Sequence, residues 1–164
     1  MALTDLEKQA IRKTWSMVAK NPRDNGVNLY KKFFREFPVY QEMFGQLKGM
    51  SQDELTNASY LKMHGKRAVE AVSEFVNNLE DISGLDRVLK ENGDSHFPRG
   101  IIPKHYSIFF NILVAFLGEA LGDAFDESAK NGWTKAAEVM LGVVKTHYKT
   151  YVEEEGNRGN GIQV

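Results

Sequence analysis

Apolar positions along this chain return every three or four residues, the period of one helix face, and strand-like alternation is nearly absent. The pattern predicts an all-α architecture of seven or eight helices. Thr4 and Glu7 form a capping box ahead of a first helix that puts Leu6, Ile11, Trp15 and Val18 on one face, and Asn21-Pro22 ends it. Val27, Tyr30, Phe33, Phe34 and Phe37 mark a second helix, which Pro38 stops before a short helical turn. After the Gly-bearing connector "FGQLKGM", the box "SQDE" at 51–54 opens another short segment.

A long helix is expected from Asn57 to Leu79, with Leu61, Ala68, Val72, Phe75 and Leu79 on its buried stripe. His64 falls on that same stripe, and a polar ring there needs a reason. A short segment covers residues 85–92, and "ENGDSHFPRGIIP" reads as turn-rich chain. Pro103 suits the first turn of a helix whose broad apolar face includes Ile108, Phe109, Ile112, Leu113, Phe116 and Leu117. Asp126 or Ser128 begins the last helix, which carries Trp133, Met140, Val144, His147, Tyr148 and Tyr151. The remainder, "EEEGNRGNGIQV", lacks periodicity. The expected organisation is one domain over residues 1–152 and a frayed, disordered tail over 153–164.

With 164 residues, 42% of them hydrophobic, the chain has enough apolar material for a single core. Its formal net charge of -1 spreads both signs along the sequence, so it lacks the basic footprint that captures nucleic acid. The absence of cysteine removes disulfides, thiolate metal sites, iron–sulfur clusters and a nucleophilic thiol together. "MALTDLEKQA" has neither the basic nor the apolar region of a secretory signal, and "SIFFNILVAFLG" reads as too short to cross a bilayer. A cytoplasmic address with no membrane partner is therefore expected.

The candidate chemistry rests on four histidines, His64, His96, His105 and His147, none of them paired at zinc-protease spacing. Taken singly, each reads most simply as a satisfied structural residue, with His105 in solvent and His147 in the core. Their setting changes the weighting. Trp15 sits midway along the first helix, a helix from Gly26 leads through Phe34 to Pro38, and Phe44 follows. Then come "LKMHGKRAV", a second histidine in "SHFPRGIIP", and a tryptophan early in the last helix in "NGWTKAA".

In that order and spacing these marks resemble the globin family over residues 3–152, and the "PRG" after the second histidine looks like its invertebrate members. The resemblance implies a globin fold around haem b, iron protoporphyrin IX. His96 matches the proximal iron ligand, and Ser95 is placed to orient its ring. His64 matches the distal residue, which faces a bound gas or, in two-histidine members, ligates iron itself. Phe44 matches the wedge against the haem plane, Tyr30 a second distal donor, and Ala68 a position that leaves the cavity roomier. Arg67 and Arg99 are candidate partners for the haem propionates, while Ile102 and Tyr106 would line the proximal side.

One place departs from the family pattern. Asn92 and Gly93 stand just before His96, where a helical turn with an apolar residue is usual, and both favour turns. A short or irregular proximal helix is expected. The function implied is reversible binding of O₂ for storage or transport, with CO and NO as further ligands. A haem enzyme running NO dioxygenation or peroxidase-like chemistry, and a two-histidine sensor or redox globin, are the alternatives. The sequence leaves open whether two chains pair as a homodimer.

Overall fold

The computed structural model describes residues 2–161, and among them the chain forms α-helices and short 3-10 turns without a strand. The helices are α1 (Asp5–Ala19), α2 (Pro22–Glu36), α3 (Pro38–Gln41), α4 (Gln52–Thr56), α5 (Ser59–Asn77), α6 (Ile82–His96), α7 (Pro103–Leu121) and α8 (Glu127–Gly161). The 3-10 turns are Phe97–Arg99 and Gly122–Ala124.

Local chemistry sets the boundaries. The Thr4 side chain accepts from the Glu7 amide at 3.1 Å and the Glu7 carboxylate accepts from the Thr4 amide at 3.0 Å, so both halves of the first capping box form. Glu7 also takes Lys135 at 2.7 Å, which ties the start of α1 to α8. Pro38 separates α2 from α3 because a proline disfavours helical backbone at the residue before it, and Phe37 accordingly leaves that region, with φ -132° and ψ 71°. Asp126 caps α8 by accepting from the Ala129 amide at 2.9 Å.

The core forms where α2 packs on α5 and α7, α1 packs on α5 and α8, and α8 packs on α6 and α7. Trp15 and Trp133 meet with ring centroids 5.6 Å apart, and each indole N–H is satisfied, by Ser73 Oγ at 2.8 Å and by Thr14 Oγ1 at 2.9 Å respectively. Leu61, Val72 and Phe75 are buried as the stripe predicted.

The structure corrects several expectations. Leu6 is 63% exposed. It lies five residues before Ile11, about 140° off that stripe, so Glu7 takes the inward place in the first turn. Of the tail expected to fray over residues 153–164, residues 153–161 continue α8, with the side chains from Val152 to Arg158 exposed, and residues 162–164 lie outside the described residues. Extending an existing helix costs far less than starting one, so it can outlast its buried face. The stretch 107–118, read as too short to cross a bilayer, belongs to a helix that reaches such length once the turn to Ala124 is included. Here that helix supplies Phe110, Leu113, Phe116 and Leu117 to the core.

Candidate functional site

The distal half of the site starts at a glycine crossing. α2 and α5 meet backbone to backbone at Gly26 and Gly65, and a Cβ on Gly65 would stand 2.6 Å from the Gly26 carbonyl carbon and 2.9 Å from the Val27 amide nitrogen. Tyr30 lies one turn beyond Gly26, and His64 directly precedes Gly65. The crossing therefore brings these two side chains together, with Tyr30 Oη 3.1 Å from His64 Nε2.

Aromatic rings hold this pair in place. Phe44 meets the His64 ring edge-on at 5.1 Å and Tyr30 at 5.9 Å, while Tyr60 stacks on the imidazole at 5.9 Å. Phe109 of α7 reaches Tyr30 at 6.0 Å. Ala68, one turn after His64, is half-buried against the same core and adds little bulk.

The proximal half is built at the end of α6. His96 Nδ1 lies 2.7 Å from the backbone carbonyl of Asn92, one turn earlier. A carbonyl only accepts, so Nδ1 carries the proton and Nε2 is left with its lone pair. Ser95 Oγ donates to the same carbonyl at 3.0 Å and lies 2.9 Å from Nδ1, the orienting contact the sequence suggested. Tyr106 Oη donates to the Asn92 side-chain oxygen at 2.6 Å, and its ring centroid is 6.1 Å from that of His96.

The expected irregular proximal helix is not found, since α6 runs unbroken through Asn92 and Gly93 to His96. The reason lies in what each residue touches. Tyr106 satisfies the Asn92 side chain, which removes its incentive to form a turn. A Cβ on Gly93 would stand 2.6 Å from the Phe97 ring, so glycine is there for close approach rather than for a turn.

Charge and burial favour neutral rings. Burial first, then the charges of His96, Arg67 and Arg99, push the His64 pKa down to about 4. His96 is also lowered, by burial against the opposing pull of the Asn92 carbonyl, and burial raises the Tyr30 phenol so that it keeps its proton. Arg67 and Arg99 are exposed, and Ile102 is 36% exposed.

The other two histidines lie elsewhere. His105, expected in solvent, is half-buried: its Nδ1 accepts from the Ile102 amide at 3.0 Å, where it caps α7, and Tyr40 packs edge-on at 5.2 Å. His147, expected in the core, is partly buried, its side chain 17% exposed, and meets Asp86 at 2.9 Å, linking α8 to α6.

Among the described residues no three His, Cys, Asp or Glu side chains converge to hold a bare metal ion. A single imidazole nitrogen at His96 therefore suits a metal whose other ligands come from a cofactor. Half-buried Phe44, Ala68 and Phe109, with the exposed guanidinium-bearing Arg67 and Arg99, suit a flat apolar group that carries carboxylates. The donor set thus fits haem. Asn92 and Tyr60 were missed by sequence reasoning, although each lies four residues before a key histidine and so shares its face.

The globin family model matches residues 27–144. The chain belongs to the globin family. It is 30% identical to cytoglobin-2 of Danio rerio over 81% of this chain and 75% of that protein. Similarity extends to a globin of Nerita albicilla at 25% identity, over 87% of this chain and 91% of the other. A globin-2 of Mordacia mordax is 32% identical over 74% and 81%. Haem-based binding of diatomic gases is the general chemistry of this family.

Proposed function

We propose that this protein holds haem b with His96 as its axial ligand and binds O₂ reversibly for storage or transport in the cytoplasm. The observation that carries the reading is the His96 ring, whose proton is committed to the Asn92 carbonyl at 2.7 Å while Nε2 keeps its lone pair. Haem iron supplies the reversible binding of O₂, CO or NO, and the chain's own residues decide how firmly and how cleanly this happens.

On the distal side, Tyr30 and His64 are one coupled unit. When His64 Nε2–H donates to the phenol oxygen, the phenol proton remains free to reach a ligand; when the phenol donates, Nε2 is occupied. A partly negative gas ligand favours the first arrangement, because it accepts the spare proton. The same contact engages His64 Nε2, so using that nitrogen as an iron ligand would cost the Tyr30 bond, which favours an open gas-binding side over the two-histidine form. Phe44, Phe109 and Ala68 keep the surroundings apolar, so that few waters deliver the protons that promote oxidation.

Replacing Tyr30 with Phe should speed O₂ dissociation roughly two- to tenfold, the worth of one hydrogen bond. Stopped-flow displacement of O₂ by CO measures it, and an unchanged rate would remove Tyr30 from the mechanism. Replacing Tyr106 with Phe should leave the fold intact, raise the haemin dissociation rate about fivefold and shift the iron–histidine vibration, since Asn92 loses its anchor. Haemin transfer to an acceptor protein and resonance Raman spectra report these two effects. The assignment as a carrier is tested by oxygenation cycles on the reduced protein. Repeated uptake and release without loss supports it, and rapid turnover of peroxide or NO with a reductant would move it to an enzyme.

A further inference from the structure

Gln41, the last residue of α3, is buried at 9% exposure although Glu42 and Met43 beside it face solvent. A polar side chain held in that position must use its hydrogen bonds. A carboxamide nitrogen carries two donors, and both are engaged: Gln41 Nε2 donates to the backbone carbonyl of Leu47 at 2.8 Å and to that of Met50 at 2.9 Å. Both acceptors belong to the connector "FGQLKGM" between α3 and α4.

That connector has little burial of its own to fix it. Gly45, Gln46, Lys48 and Gly49 are exposed, and Leu47 is its fully buried side chain. Its backbone makes short turns, with the Phe44 amide on the Gln41 carbonyl at 3.0 Å and the Leu47 amide on the Phe44 carbonyl at 2.8 Å. Exposed turns of this kind open readily unless something outside them holds on. The bond from Gln41 to Leu47 closes a loop of chain with Phe44 at its midpoint. Phe44 in turn packs on Phe34 at 5.2 Å, on His64 at 5.1 Å and on Tyr30 at 5.9 Å.

We propose that Gln41 is a positioning residue for the distal side: its carboxamide clamps the connector so that Phe44 stays against the Tyr30–His64 pair and keeps water from it. The inference rests on the haem reading above and adds a residue to it. Without the two donors, the Leu47 and Met50 carbonyls turn to water as the replacement partner, and the connector carries Phe44 outward with it. Gln41 thus acts through Phe44.

Hydrogen–deuterium exchange read by mass spectrometry on the pigmented protein tests the clamp. Gln41→Met keeps the length of the side chain and removes both donors. It should speed exchange of the amides at 44–50 by about tenfold or more, the consequence of unpairing those carbonyls, while α1 and α8 exchange as in the wild type. The same variant should oxidise to the ferric form about threefold faster or more, because a loosened Phe44 admits water. Val18→Ala truncates a buried side chain of α1 and is the control, expected to lower stability without touching the connector or the oxidation rate. In the wild-type protein the Gln41 side-chain amide protons should exchange slowly by NMR, a reading that needs no variant to fold. Connector exchange or oxidation unchanged in Gln41→Met, the same changes in Val18→Ala, or freely exchanging Gln41 amide protons would overturn the proposal. A chain that refuses haemin would sink the haem reading instead, and its exchange data would still decide the clamp.

Discussion

Glycine in place of His96 should yield a helical protein that loses its pigment. His96 is the last residue of α6 and only half-buried, so the substitution removes a ligand without opening the core, and glycine is well tolerated where a helix ends. Outer-shell partners of a metal ligand alone carry up to a roughly hundredfold effect on affinity, and removal of the ligand itself should exceed that. Haemin transfer to an acceptor protein measures the loss. Added imidazole should restore CO binding in part, because it replaces the missing ring. A variant that keeps its pigment as tightly and binds CO unchanged without imidazole would contradict the assignment.

The second large effect concerns the crossing that makes the distal pair. Gly65→Ala should destabilise the fold by about 3 kcal/mol, since the new methyl group meets the backbone of Gly26 and Val27 and neither can yield without separating α2 from α5. The sign is informative: alanine is the better helix former by about 1 kcal/mol, so a net loss isolates the clash. Gly142 in α8, where a Cβ would meet nothing within 4 Å, supplies the control, and Gly142→Ala should stabilise by about 0.5–1 kcal/mol. Urea titration of both variants makes the comparison. Gly65→Ala should also displace His64 from Tyr30 and speed O₂ release, which a purely structural glycine elsewhere would not do.

How much of this could be read from the chain alone depended on the length of the pattern. α1, α2, α5, α7 and α8 carry long apolar stripes, and their identity was legible from periodicity, helped in α1 by the Thr4–Glu7 box. α6 was not, because Asn92 and Gly93 send the same local signal whether they break a helix or serve tertiary contacts. Only the position of Tyr106 and Phe97 in space decides between those roles. The same holds for Leu6, where a one-residue choice of face in the first turn was settled by the pairing of Glu7 with Lys135.

The site shows the same division. His64 was conspicuous as a polar ring on a buried stripe, and His96 through its setting, but their hydrogen-bond partners are matters of geometry. Tyr30 and His64 belong to different helices, and nothing local to either reveals that the two bond each other rather than act as independent donors. That contact depends on the two glycines at the crossing. Sequence shows them as glycines, whereas the structure shows what they are for.

An open gas-binding side is the centre of this account, and the visible spectrum of the reduced protein under argon tests it most directly. One axial histidine with His64 held by Tyr30 predicts a single broad visible band. Two sharp, split bands before any gas is added would mean that His64 has left Tyr30 for the iron, and would contradict it.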